Sequence, residues 1–138
     1  MKKLNWMFLL LFSVAFVACD DDDDEVTLDT TDPVITITSP SSGSTATAGG
    51  TINLEGSVTD NMGLDEIRIS ITDPVSGTPT ELSDKTIRDF LNDDKQAEFD
   101  LDINLESETP LGEYTVTVIA VDDAGNEASK SVMVTVTE

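Results

Sequence analysis

The chain has 138 residues, enough for one domain of ordinary size, and its 28 acidic and 7 basic residues give a net charge of −21. This charge argues against binding to nucleic acid, and against binding to an anionic membrane surface through charge. The absence of histidine excludes a Ser-His-Asp triad and His-ligated zinc, and the single cysteine excludes an internal disulfide and a metal site of four cysteines.

Residues 1–18 have the composition of a secretory signal peptide. Two lysines follow the first methionine, and residues 4–18 are then apolar except for Asn5 and Ser13. A basic start, a short apolar run and a small residue at its end are typical of such a signal. The run is shorter than the roughly 20 residues that a transmembrane helix needs, so we predict a cleaved signal.

The residues around Cys19 suggest a lipid anchor. The sequence Phe16-Val17-Ala18-Cys19 resembles the lipobox of bacterial lipoproteins, although that motif usually has Leu in place of Phe16. The resemblance implies that Cys19 is acylated, for example with palmitate, and becomes the first residue of a membrane-held mature chain. The alternative is an ordinary signal peptide followed by a free cysteine, which is unusual in a secreted protein.

An uninterrupted acidic run follows the cysteine. It consists of Asp20, Asp21, Asp22, Asp23, Asp24 and Glu25. Like charges at this density repel one another and cannot pack, so we expect residues 19–32 to form a disordered, solvated tether. The run also resembles the export signal of Bacteroidetes surface lipoproteins. This resemblance implies an outer-membrane, lipid-anchored protein that faces the cell exterior.

The remainder of the chain, residues 33–138, is predicted to form one domain of short β-strands. Apolar and polar residues alternate in six segments, as in strands with one buried face. In chain order these are residues 34–38, 51–59, 64–72, 97–105, 114–121 and 131–137. Residues 41–50 are rich in Gly, Ser and Thr and are predicted to form a loop.

Residues 80–96 fit two structures. Ile87, Phe90 and Leu91 fall at helical spacing after Ser83, which is a suitable N-cap residue. The segment is therefore either a short helix or an irregular edge strand, and we favour a strand or loop that contains one helical turn. With this segment included, the chain has about seven strands, the number typical of a β-sandwich.

Two motifs within these strands indicate the fold class. The sequence Pro110-Leu111-Gly112-Glu113-Tyr114 resembles the tyrosine corner, in which a structural tyrosine, here Tyr114, hydrogen-bonds to upstream backbone. Residues 114–126 resemble the sixth strand and the following hairpin of bacterial immunoglobulin-like domains, and residues 32–35 resemble the first strand. The resemblance implies an all-β, immunoglobulin-like antiparallel β-sandwich with a mainly aliphatic core.

The loops at one end of such a sandwich carry many carboxylates. Three loops meet there, and the segment before the first strand brings Asp29 and Asp32 to the same end. The candidate ligands in the loops are Asp60, Asp93, Asp94, Asp122, Asp123 and Asn126. Oxygen ligands from several loops suit Ca²⁺, which takes roughly six to eight, so calcium is the cofactor that these residues would hold. The alternative is that these side chains only hydrogen-bond to the backbone of their own turns.

The sequence carries no catalytic motif. It lacks a nucleophile motif, a phosphate loop and a cofactor fingerprint, so we expect no enzymatic activity. We predict a surface-anchored binding or structural module for an unknown protein or glycan partner, contacted through residues 41–50, 73–79 and 107–112. The alternatives are a calcium-dependent adhesion or stalk module, and a small enzyme or inhibitor without a recognisable motif.

Overall fold

The computed structural model describes residues 27–138, so the predicted signal peptide, Cys19 and the acidic run lie outside the described residues. The described chain forms eight β-strands and one 3₁₀ turn, Ser83–Lys85. The strands are β1 (Val34–Ser39), β2 (Ser44–Thr47), β3 (Thr51–Thr59), β4 (Leu64–Thr72), β5 (Pro79–Glu81), β6 (Gln96–Asn104), β7 (Gly112–Asp122) and β8 (Glu127–Thr137). Over residues 27–138, no helix is long and apolar enough to span a membrane.

The strands form two sheets that pack on one shared core. One sheet has three strands in the order β1-β3-β6, and the other has five in the order β2-β8-β7-β4-β5. Every neighbouring pair is antiparallel except β2 and β8, which run parallel. The chain therefore changes sheet between β1 and β2. The predicted all-β, two-sheet sandwich is confirmed.

Alternation of apolar and polar residues locates most of the strands. The predicted strands at residues 51–59 and 64–72 coincide with β3 and β4. β7 and β8 are longer than predicted at their shared hairpin, because Val121 still pairs with Glu127. The sequence predicts the interior strands accurately because each has one face in the core and one face in solvent, which produces a clear alternation of apolar and polar residues.

One predicted loop is wrong. Residues 41–50 contain β2, which pairs with β8 from Ser44–Val134 to Thr47–Thr137 and raises the strand count to eight. β2 consists of four small residues at the edge of the larger sheet, so it has no apolar alternation that would mark it as a strand. Its pairing depends on a partner about ninety residues away in the chain, which local sequence does not contain.

Residues 80–96 combine a short strand, one helical turn and irregular chain. β5 pairs antiparallel with the end of β4, and the 3₁₀ turn follows directly. Two isolated bridges, Ile67–Ile87 and Leu91–Gln96, hold the rest of the segment against the sandwich. The favoured interpretation, a strand or loop with a helical turn, is confirmed.

The inward-facing residues of both sheets form one aliphatic core. Leu54 of β3, Ile67 and Ile69 of β4, and Val116 and Val118 of β7 are fully buried. Burial of each such side chain stabilises the fold by about 1.5–3 kcal/mol. This core fixes the strands in register, and it thereby places the β3–β4 and β7–β8 turns side by side at one end of the sandwich.

Candidate functional site

Asp122 is a buried carboxylate at the end of β7, with 2% of its surface exposed. Its Oδ1 accepts hydrogen bonds from the backbone N–H groups of Ala124, at 2.9 Å, and Asn126, at 2.7 Å. Its Oδ2 accepts a bond of 2.6 Å from Nδ2 of Asn126. Gly125 takes a positive φ of 88°, which lets the chain turn tightly around the carboxylate.

These hydrogen bonds determine the charge of Asp122. Burial by itself raises the pKa of the carboxyl, because it removes water from the charged form. The side-chain and backbone hydrogen bonds from Asn126, with those from Ala124 and Gly125, together outweigh burial and hold the pKa below its usual value. Asp122 is therefore ionised in the folded protein at neutral pH.

Asp60 supports the turn between β3 and β4 in a similar way. Its Oδ2 accepts hydrogen bonds from the backbone N–H groups of Met62, at 2.7 Å, and Gly63, at 2.9 Å. Its own N–H donates to the carbonyl oxygen of Lys95 at 3.0 Å. Its Oδ1 is buried and has no hydrogen-bond partner among residues 27–138.

Asp29 lies in the segment that precedes β1 and packs against the two turns. It is 9% exposed, and its Oδ1 accepts hydrogen bonds from the backbone of Thr31, at 3.0 Å, and from Nδ2 of Asn61, at 3.2 Å. Its carbonyl oxygen accepts a bond of 3.3 Å from Nδ2 of Asn126. Its Oδ2 is buried and finds no hydrogen-bond partner in the described part of the chain.

These three aspartates form what we call the carboxylate cluster: Asp29, Asp60 and Asp122. One carboxylate oxygen from each lies within 4.8 Å of one from each of the others. The ion pairs of the described residues involve Arg68, Lys85 and Arg88, and none of them reaches the cluster. Converging oxygens from three separate segments, with no ion pair to a basic side chain among residues 27–138, provide the chemistry of a cation site.

The structure brings together only some of the residues predicted as ligands. Asp60 and Asp122 belong to the cluster, and Asn126 hydrogen-bonds to Asp122 and to Asp29. Asp93 and Asp94 lie outside the cluster, and both are exposed in a turn whose residues 92–94 all have positive φ. That turn still reaches the same end, because the carbonyl oxygen of Asp94 accepts a 2.7 Å hydrogen bond from the N–H of Leu64.

Two further aspartates at this end, Asp123 and Asp32, lie outside the cluster. Asp123 is exposed, and its backbone N–H donates to the carbonyl oxygen of Gly63 at 3.0 Å. Asp32 is also exposed. Asp29 was expected near this end but was not among the predicted ligands, because nothing in the sequence of its segment indicates which side chain turns inward.

The opposite end of the sandwich, which we call the far end, holds Tyr114. This residue is 4% exposed, and its hydroxyl donates a 2.9 Å hydrogen bond to the carbonyl oxygen of Pro110, as in a tyrosine corner. Burial, with a smaller contribution from the charge of Asp73, raises the pKa of Tyr114. Beside it lies a cleft of about 530 Å³ whose apolar wall includes Ile71 and Leu82 and whose rim includes Glu106.

The sandwich and its two sets of loops define the class of protein. An antiparallel three-stranded sheet packed on a five-stranded sheet, with loops gathered at both ends, is the architecture of immunoglobulin-like and fibronectin type III-like modules. The chain belongs to DUF4625, a domain family of unknown function, which it matches over residues 17–137. No curated protein matches the sequence.

Solved structures share this fold at low sequence identity. The Siglec domain of GspB is 15% identical with a TM-score of 0.53, and the match covers 79% of this chain and 59% of that one. OgpA from Akkermansia muciniphila is 13% identical with a TM-score of 0.53, over 77% of this chain and 29% of that one. The fibronectin(III)-like modules of Clostridium thermocellum CbhA are 18% identical with a TM-score of 0.49, and the match covers 77% of this chain and 47% of that one. The chain thus spans less than two-thirds of each of these neighbours, and the likeness to the first two shows the fold alone.

Proposed function

We propose that this protein is a surface-anchored, non-catalytic immunoglobulin-like module that a lipid on Cys19 holds to the outer membrane, as in Bacteroidetes surface lipoproteins. The apolar run that ends at Cys19 and the acidic run from Asp20 to Glu25 support the anchor and its export. The absence of a nucleophile or cofactor motif from the sequence supports a binding role over catalysis.

The observation that carries the proposal is the place where the tether joins the sandwich. The segment before β1 lies against the β3–β4 and β7–β8 turns, through hydrogen bonds of Asp29 with Asn61 and Asn126. We call this the tether end. A lipid anchor upstream of residue 27 keeps the tether end close to the membrane. The far end is then directed away from the membrane.

The far end offers a surface for a partner. Its cleft combines an apolar wall that includes Ile71 and Leu82 with the carboxylates of Asp73, Glu106 and Glu108. Carboxylates accept hydrogen bonds from basic side chains and from sugar hydroxyls, so the cleft suits a protein or glycan partner. Such a mixture of apolar wall and polar rim is typical of binding surfaces.

The anchor is tested by replacing Cys19 in the full chain, expressed in a diderm host of the Bacteroidetes type. We expect the parent protein to incorporate labelled palmitate and to fractionate with the outer membrane, and Cys19→Ala to lose both properties. A second variant, with serine at residues 20–25, should keep the lipid and lose protease accessibility on intact cells. Unchanged membrane fractionation of Cys19→Ala would refute a lipid anchor at this residue.

A further inference from the structure

The carboxylate cluster at the tether end contains oxygens that the protein itself leaves without partners. Asp29 is nine-tenths buried, at 9% exposed, and its Oδ2 accepts no hydrogen bond from any described residue. Oδ1 of Asp60 is also buried and accepts no hydrogen bond from any described residue. Burial of a carboxylate oxygen without a partner is costly, because the oxygen loses water and gains no replacement.

We propose that Asp29, Asp60 and Asp122 bind one Ca²⁺ ion, which joins the tether to the β3–β4 and β7–β8 turns. The three carboxylates supply oxygens within 4.8 Å of one another, and they come from three separate segments of the chain. A divalent cation removes the repulsion among them and supplies the partner that the buried oxygens lack.

The remaining oxygens of the cluster are already held in place. Oδ2 of Asp60 is fixed by the N–H groups of Met62 and Gly63, and Oδ1 of Asp29 by Thr31 and Asn61. Each of these two side chains thus uses one oxygen for its local turn and keeps the other free. A cation therefore binds to ligands that are largely positioned beforehand, which lowers the entropic cost of binding.

The chemistry of the cluster favours Ca²⁺ over Mg²⁺. Ca²⁺ accepts carboxylates in flexible arrangements with roughly six to eight oxygens, and water completes its shell. Mg²⁺ requires a near-ideal octahedron and usually keeps several waters, which suits one or two carboxylates. The cluster offers three carboxylates from separate segments, and none of them forms a salt bridge among residues 27–138. This arrangement matches the coordination of Ca²⁺.

The ion has a structural consequence for the tether. Residues 27–33 are joined to the sandwich at this end by the side chain and carbonyl of Asp29, which bond to Asn61 and Asn126. Calcium adds a third and stronger connection at the same residue. The bound ion therefore fixes the point from which the tether leaves the module more firmly, and its removal leaves only the two hydrogen-bonded connections.

The test is calcium binding and thermal melting of the full chain, purified in mild detergent, in CaCl₂, MgCl₂ or EGTA at constant ionic strength. Asp29→Asn is the main variant, because Asp29 lies outside every strand and we therefore expect the sandwich to fold without its charge. Asp32→Asn is the matched control, since it removes an exposed carboxylate from the same segment. Both variants keep the acidic run at residues 20–25, so any metal binding by that run contributes equally to both.

We expect Ca²⁺ to raise the melting temperature of the parent chain more than Mg²⁺ does. Asp29→Asn should weaken the calcium affinity by about tenfold or more, whereas Asp32→Asn should change it by less than about twofold. Calcium should also slow amide exchange at residues 27–33 in the parent chain and not in Asp29→Asn. Equal responses of the two variants, equal responses to the two metals, or no response to calcium would each overturn the proposal. None of these outcomes depends on whether Cys19 carries a lipid.

Discussion

Asp122, Asp60 and Asp29 differ in how fully the folded chain satisfies their carboxylate oxygens. Both oxygens of Asp122 accept hydrogen bonds, whereas Asp60 and Asp29 each have one buried oxygen without a partner in the described chain. Asp122 therefore stabilises its own hairpin whether or not an ion is present. Asp60 and Asp29 are the side chains whose surroundings improve most when a cation binds.

Asp73 at the far end is a half-buried carboxylate whose pKa depends on hydrogen bonds within a single turn. The Ser76 hydroxyl is the largest cause that holds the pKa of Asp73 below its usual value, and the N–H groups of Ser76 and Val75 add to it. Because the folded-state pKa is lowered, the stabilisation is present above the usual pKa of aspartate and is lost as the pH falls through the folded-state pKa.

We expect Ser76→Ala to raise the pKa of Asp73 towards its usual value, since this change removes the largest of the lowering interactions. An NMR pH titration of the Asp73 carboxyl carbon in the full chain measures the shift. Ser42→Ala, at an exposed serine in another loop, should leave the Asp73 titration unchanged. The same midpoint in Ser76→Ala and the parent chain would show that backbone donors alone set the charge.

Individual residues of the cation site are only partly predictable from sequence. Asp60 and Asp122 are predictable because Asp60 directly follows β3 and Asp122 ends β7, and the order of strands brings the two adjoining turns together. Asp93 and Asp94 stand at the same end, but left-handed backbone turns their side chains into solvent. Asp29 lies in a segment without a strand pattern, and its burial depends on contacts made only in the folded chain.

At the scale of elements, alternation identifies a strand only when one of its faces is apolar. β3 and β4 are predicted at their observed bounds, because their inward residues are large and aliphatic. β2 has four small residues and pairs with a distant strand, so its sequence alone does not predict that it is a strand. Residues 80–96 are ambiguous for a related reason, since β5 pairs only with the end of β4 and isolated bridges to β4 and β6 hold the rest of the segment.

β3 is the centre of the smaller sheet, and Gly56 is its most restricted position. Gly56 pairs with Ile37 on β1 and with Phe99 on β6. A Cβ atom at residue 56 would lie 2.1 Å from the carbonyl oxygen of Thr36 and 2.5 Å from Cζ of Phe99. The absence of a side chain therefore allows the Phe99 ring to lie against the backbone of β3.

We expect Gly56→Ala to lower the free energy of unfolding by about 1–3 kcal/mol or more, because the sheet must shift to admit the methyl group. Urea unfolding of the full chain, followed by circular dichroism, measures the change. Gly43→Asn is the control, since no atom lies within 4 Å of its Cβ position and asparagine tolerates a positive φ. Equal losses in the two variants would mean that the contact with Phe99 does not restrict residue 56.

At the scale of the whole molecule, the two ends of the sandwich carry different features, and the proposed function assigns them different roles. The tether end gathers the incoming chain, the carboxylate cluster and the two turns that surround it. The far end carries the Tyr114 corner and a cleft with an apolar wall and an acidic rim. Fixing the chain at one end leaves the other end free, which is the arrangement that a surface-held binding module requires.

The proposed orientation predicts a difference in access between two matched positions on intact cells. Leu28 at the tether end is 79% exposed, and Val75 at the far end is 76% exposed. Leu28→Cys and Val75→Cys each introduce one thiol, and a Cys19 that is acylated as proposed would not react with maleimide. We expect a large polyethylene-glycol maleimide to label Val75→Cys several times faster, since the proposed anchor keeps the tether end beside the membrane.

A small maleimide should label both variants at similar rates, and so should the large reagent after the protein is solubilised in detergent. These two controls separate obstruction by the membrane from a difference in local reactivity between the two thiols. Equal rates with the large reagent on intact cells would mean that the module lies flat or turns freely above the membrane. The far-end cleft would then have no preferred outward position, and a partner would meet either end equally.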